Sequence, residues 1–427
     1  MRRWMVVGAA AMAAWSTMVT AEPPAKGEVL LEATPPEWAQ DLCAAVDEGV
    51  RVLEAAHLVP EATVAHSAVL EALIRVAEPG VAFLDTDAVA AHRQGAIPGR
   101  WEVGLLAVPM DHRCRVAAVR SNSPAAAAGV LPGEFMDRIG DNPVAADTPI
   151  KTVRRWLAQG EQAELQLGVV AEDGTRRTLE LERAPRAKAS VTEVERLPSN
   201  MGYVRVAGIF PDAGDELAAA LEAWQGTEVF GVILDLRGAG GNAEAEVAPM
   251  AAPFATAGTR LYVKSDRQGH EKAVVKAPAA SANALPLMVL IDNDTVGSAE
   301  LLAAVLGGSV KGAMLIGRET AGNPLIREPI ALSTGRYALL ATREIRTADG
   351  AVYWGAGGIK PDVVITDAAL NETVFEPDEP MLRKSKILTE EDKEDKALRD
   401  RTRYDTYLRR ATDVLLGLQA LGYDGQR

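Results

Sequence analysis

The chain has 427 residues, with 45 lysines and arginines against 59 aspartates and glutamates, for a formal net charge of −14. That acidic balance excludes nucleic acid and anionic membrane surfaces as partners held by charge. The five histidines (His57, His66, His92, His112 and His270) show no metal-ligand spacing, so neither metal nor cofactor is expected. The length fits two or three domains.

Arg2 and Arg3, the apolar run Trp4 to Met18 and the small-residue site Val19-Thr20-Ala21 read as a signal peptide over residues 1–21. Glu22-Pro23-Pro24 follows at once and breaks any continuing helix. Loss of Arg2 and Arg3 would make the mature chain more acidic still. No later segment approaches the ~20 apolar residues of a membrane span. The expected location is periplasmic or otherwise extracytoplasmic. An oxidising compartment would allow Cys43 and Cys114 to pair, and geometry decides whether they do.

Residues 22–98 read as a helical module. Trp38, Leu42, Val46, Val50 and Leu53 fall at helical spacing after Pro35-Pro36, and Val64 to Val76 form a second amphipathic helix ended by Pro79-Gly80. Residues 99–186 change to short strands: Cys114–Val119, Met136–Ile139, Ala163–Val170 and Arg177–Leu181. Ser123 with Pro124 reads as an N-cap and first helical position closed by Gly129, and Thr148 with Pro149 as a second such start. Residues 187–370 read as βα repeats. Strands are expected at Met201–Val206, Val229–Leu236, Leu261–Lys264, Leu285–Ile291 and Ala313–Ile316, with antiparallel ones at Tyr337–Thr347 and Ala351–Trp354. Helices are expected at Pro211–Trp224, Asn242–Phe254 and Gly297–Leu306. Residues 371–427 combine a charged, solvated stretch to about Arg401 with an amphipathic helix that carries Tyr404, Tyr407, Leu408, Ala411, Val414, Leu415, Leu418 and Leu421. The fold class is therefore α/β with α+β elements.

Asp235-Leu236-Arg237-Gly238-Ala239-Gly240-Gly241 follows an apolar strand and leads into a helix. Glycines at such a turn let backbone amides face a site, where Gly240 and Gly241 could stabilise an oxyanion. The G-x-G-x-x-G spacing of a dinucleotide turn is absent.

Ser123-Pro124-Ala125 with Gly129, Leu131-Pro132-Gly133-Glu134, Ile139 and Pro143-Val144 resemble a bacterial-type PDZ domain. Gly202-Tyr203, Asp235-Leu236-Arg237 with Gly240-Gly241, Thr295 to Glu300, Gly317 to Gly322 and Gly357 to Asp362 resemble the carboxyl-terminal processing (tail-specific) proteases. These are serine endopeptidases with a Ser/Lys dyad, often a supporting Gln, and a PDZ domain that helps recognise the substrate C-terminus. The resemblance implies that an extended C-terminus adds to a sheet edge, with its carboxylate near Val103, Gly104 and Leu105.

The departures fall on the chemistry. With Thr295 and Glu300 in register, the nucleophile position is Gly297, the lysine position Asn323 and the Gln position Arg327. Asn and Arg cannot serve as a base at neutral pH, and no lysine lies between Lys311 and Lys360. Ala239 stands where the family commonly has Asn. Ser298 adjoins the expected site and could act as a displaced nucleophile, although a serine hydroxyl is weak without a base. Three readings follow: a non-catalytic binder of polypeptide C-termini or unfolded segments, with an active protease relative as a candidate partner; an active serine endopeptidase using Ser298; and a structural envelope protein.

Overall fold

The computed structural model describes residues 38–423, except 57–60, 79–80, 94–100, 111–112, 186–188, 225, 279–284, 324, 352–356 and 371–389. The leader at residues 1–21 and most of the expected strand at Ala351–Trp354 lie outside the described residues. Among those described, no helix is long and apolar enough to cross a membrane.

The chain divides into two compact units, residues 1–89 with 327–340, and residues 90–326 with 341–427. In the first, helices Trp38–Ala55 and Ala62–Ala77 follow the spacing expected of them. Strand Ala82–Leu84 pairs antiparallel with Tyr337–Leu339. The Arg75 and Arg336 guanidiniums cover the Phe83 ring at 4.9 and 5.6 Å. Val64 and Val76 are 58% and 81% exposed, so part of the apolar stripe that reads as a packing face stays on the surface.

In the second unit, residues 101–185 build an antiparallel sheet in the order Leu105–Met110, Arg113–Val119, Phe135–Ile139, Glu164–Val170 and Arg176–Glu182. Its core joins Val116, Ile139, Leu167, Val169 and Leu181 to Ala125, Val153 and Leu157 of two helices. Ser123 caps the first, accepting from Ala126 N at 3.2 Å, with Pro124 at the first helical position. Thr148 does not cap the second. Its Oγ1 accepts from Ala145 N at 2.9 Å in a turn, and helix Ile150–Ala158 starts after Pro149 without a side-chain cap. Cys114 is a free thiol buried in this core, and burial pushes its pKa up to about 12.

The second sheet runs Val191–Leu197, Met201–Val206, Gly231–Asp235, Leu287–Ile291, Ala313–Gly317 and Val363–Val364, parallel except at its first strand. Every residue of Gly231–Asp235 and Leu287–Ile291 is buried, as continuous apolar runs demand of strands covered on both faces. Alternate side chains feed two cores. Val232, Leu234 and Val289 meet helices Ala213–Glu222, Val247–Ala251 and Ser298–Ser309, whereas Ile233, Met288 and Leu290 meet the C-terminal helix Thr406–Ala420.

Two helical expectations change. The expected Asn242–Phe254 helix is a short turn at Glu244–Glu246 followed by Val247–Ala251 alone. The charged stretch contains a helix, Glu390–Thr402, whose Leu398 is buried.

Candidate active site

The site is built where two parallel strands end. Asp235 closes strand Gly231–Asp235 and is fully buried. It accepts from Tyr203 Oη at 2.8 Å, from Arg205 at 2.8 Å, and from the Arg237 side chain at 2.9 and 2.7 Å. Burial works against the charged carboxylate, but Arg237 and Arg205 outweigh it and hold its pKa well below the usual range. Arg237, 1% exposed, also donates to both carboxylate oxygens of Asp405 at 2.7 and 2.9 Å. This network fixes the start of the glycine turn. Gly238 then donates its amide to Asp292 Oδ1 at 2.9 Å, and Gly240-Gly241 pair with Gly208-Ile209.

The second strand end supplies the elbow. Asp292 Oδ1 also accepts from Asp294 N, and Thr295 Oγ1 donates to the Leu236 carbonyl at 2.9 Å. Val296 N donates to Ala239 O at 2.9 Å, which ties elbow and glycine turn together. Gly297 then precedes helix Ser298–Ser309 with φ 60° and ψ −130°, a backbone that side chains rarely adopt. A Cβ at Gly297 would lie 2.6 Å from the Gly241 carbonyl oxygen. Ser298 is 6% exposed at the first helical position, and among the described residues its hydroxyl has no hydrogen-bond partner. His270, the spare base in the sequence, is exposed with Nδ1 3.0 Å from Asp266.

Glu300, in the first turn of the helix and fully buried, holds the loop that carries Asn323. It accepts from the Thr320 hydroxyl, from Gly322 N at 2.5 Å and from Asn323 N at 2.9 Å. Ala321 N donates to Thr295 O at 3.2 Å, so this loop and the elbow meet. Asn323 itself is exposed. Arg327 belongs to the first unit, where its Nε lies 3.6 Å from Glu78. Gly240, Gly241, Gly297 and Ser298 thus share one site with the Asn323 loop against it, and no cationic amine or imidazole bonds to Ser298 among the described residues. Glu300→Ala would strip the acceptor from three donors at once. It is expected to cost about 3 kcal/mol or more, read from urea unfolding, with faster hydrogen exchange at Gly322 and Asn323.

Val103, Gly104 and Leu105 line a 190 Å³ cavity with Arg120, Arg154 and Leu157 on one side and Tyr203, Arg205 and Gly238 on the other. Gly104 has φ +72°, and a Cβ there would lie 2.2 Å from that of Ser123, so only glycine fits. Arg154, which sequence reasoning missed, crosses from helix Ile150–Ala158 to Asp292 and Asp294, each at 2.7 Å, and reaches the Ala107 carbonyl at 3.4 Å. Burial opposes its charge, but the two aspartates prevail and raise its pKa.

Residues 200–365, which contain the glycine turn, the elbow and the Asn323 loop, match peptidase family S41. The chain carries a peptidase family S41 domain. A carboxy-terminal processing protease of Bacillus subtilis is 26% identical over 272 residues, 61% of this chain; the match spans about half, 55%, of that protein. A chloroplastic C-terminal processing peptidase of Tetradesmus obliquus is 26% identical over 325 residues, 71% of this chain and 68% of that protein. Among solved structures, a photosystem II D1 C-terminal processing protease aligns with a TM-score of 0.50 at 23% identity, covering 78% of this chain and 88% of that one. At that identity the likeness is one of fold.

Proposed function

We propose that this chain is an exported polypeptide-binding member of the carboxyl-terminal processing protease family that does not cleave what it binds. The observation that carries this reading is the fit of Gly297 against Gly241. The elbow keeps the backbone of a nucleophile turn, yet the place of a nucleophile's Cβ is crowded by a carbonyl oxygen. Gly297, Asn323 and Arg327 at the dyad and Gln positions support the same conclusion, because neither Asn nor Arg can take a proton from serine.

Binding is assigned to a PDZ-like module at residues 99–186. Strand Leu105–Met110 is the edge of its sheet, which leaves a backbone ladder open to an added strand. The cavity beside Val103, Gly104 and Leu105 lies at the start of that edge, where a terminal carboxylate would sit. Arg154, which lines the cavity, pairs with Asp292 and Asp294 beside the elbow.

The test is fluorescence anisotropy with a labelled peptide ending in apolar residues, as the free acid and as the C-terminal amide. Amidation is expected to weaken binding by roughly tenfold or more, the worth of a charge-assisted hydrogen-bond set. Equal affinity for the two forms would remove the carboxylate role from Val103–Leu105. The rival reading, with Ser298 as a displaced nucleophile, draws on its place beside the elbow and is decided by whether the native chain cleaves an unfolded substrate and Ser298→Ala does not.

A further inference from the structure

On the face of the sheet formed by residues 101–185, guanidiniums and aromatic rings alternate in one stack. Arg113 Cζ lies 3.7 Å from the Phe135 ring centre, and Arg115 Cζ lies 4.9 Å from the same ring. Arg115 Cζ is 5.4 Å from the Tyr404 ring, and Arg403 Cζ is 5.3 Å from it. The order Arg113, Phe135, Arg115, Tyr404, Arg403 follows from local rules. Arg113 and Arg115 are two apart on strand Arg113–Val119, so they share a face. Phe135 is the cross-strand partner of Arg115. Gly133 lets Tyr404 approach, since a Cβ there would fall 2.6 Å from its Cζ.

Ring faces attract these cations but do not neutralise them. Among the described residues no carboxylate forms a salt bridge with Arg113 or Arg115, and Arg115 Nε is buried without a hydrogen-bond partner. Glu172, exposed and beyond salt-bridge distance, is the acidic group that acts on Arg115. Burial first, then Arg113 and Arg403, lower the Arg115 pKa against the opposing pull of Glu172 and Tyr404. Stacking occupies guanidinium faces and leaves N–H edges for oxyanions, which they meet bidentately.

We propose that this stack binds acidic side chains of a polypeptide. Arg113 and Arg115 sit about 6.8 Å apart along their strand, the spacing of carboxylates two residues apart in an extended peptide. The proposal rests on the polypeptide-binding reading for its class of ligand, but neither arginine lines the cavity at Val103–Leu105. The stack therefore recognises side chains of the body of a bound segment rather than its C-terminus.

The full chain would be titrated into a fluorescein-labelled, C-terminally amidated hexaglutamate peptide, with hexaglutamine amide as control. Hexaglutamate is expected to bind in a salt-sensitive manner and hexaglutamine not to bind. Arg113→Gln/Arg115→Gln should weaken hexaglutamate binding by about tenfold or more and leave the free-acid, apolar-ended peptide unaffected. Glu172→Gln, a surface change, should tighten it about threefold by removing the competing charge. Failure of the native chain to bind hexaglutamate overturns the proposal, as does undiminished binding in the double variant. If that variant does not fold, unchanged affinity in Glu172→Gln overturns it. Hexaglutamate binding without recognition of the free carboxylate would sink the carboxylate role of Val103–Leu105 and leave this proposal standing.

Discussion

Incubated with an unfolded protein substrate, the native chain is expected to produce no cleavage above the buffer blank, and Ser298→Ala to change nothing. Loss of a nucleophile together with its base lowers turnover on the order of 10⁶-fold in serine peptidases, and the residues act as a unit. In the register proposed above, the nucleophile position falls on Gly297 and the base position on Asn323. Ser298 lies one residue along, within the first turn of its helix, with no base bonded to it among the described residues. The informative comparison is the repair. Gly297→Ser/Asn323→Lys returns the dyad in name, but the new Cβ would lie 2.6 Å from Gly241 O. That contact is with backbone, and Gly241, at φ +114°, is itself wedged against the Ile209 backbone. The double variant is therefore expected to stay at the blank and to lose about 1–3 kcal/mol of stability to strain. Cleavage by the native chain that disappears in Ser298→Ala would make it a protease and refute the binding-only reading. Cleavage by the repaired chain would mean that the Gly241 carbonyl yields.

Much of the core was legible because its signals are local. Continuous apolar runs located Gly231–Asp235 and Leu287–Ile291, and the Ser123-Pro124 start located its helix to the residue. Thr148 misled because the same residue types that cap helices also close turns, and here the hydroxyl serves Ala145. Glu390–Thr402 reads as solvated charge, since a single buried leucine leaves no periodic stripe. At the site, the sequence shows glycine at position 297, but the closeness of Gly241 is a fact of two turns 56 residues apart. The ties that hold those turns are longer-range still: Arg154 to Asp294 spans 140 residues and Arg237 to Asp405 spans 168. No spacing rule reaches that far, and nothing in the sequence pairs these residues with one another.

The Asp405 contact gives the largest stability effect. Asp405 plays two parts at once: its carboxylate pairs with both terminal nitrogens of Arg237 and accepts from Leu408 N at 3.1 Å as the N-cap of the last helix. Asp405→Ala removes both, and breaking one side of a buried pair costs about 3–5 kcal/mol, with about 1 kcal/mol more for the cap. Asp405→Asn keeps a good capping residue and removes only the charge, so it should recover about the smaller amount. Guanidinium chloride midpoints of the two variants separate the parts; equal losses would mean that the ion pair, not the cap, anchors the helix. Acid should act on the same network through Asp235. Its folded pKa is depressed, so its contribution is complete above the unfolded value of ~3.9 and is lost as pH falls toward the lower folded value. In Arg205→Met, one of the two cations on Asp235 is gone and the depression shrinks, so the acid-induced loss should be smaller and complete at a higher pH than in the native chain. Because Asp235, Arg237 and the Arg237 carbonyl bound to Arg205 lead directly into Gly238, loosening this network should also speed hydrogen exchange along the glycine turn before the sheet unfolds.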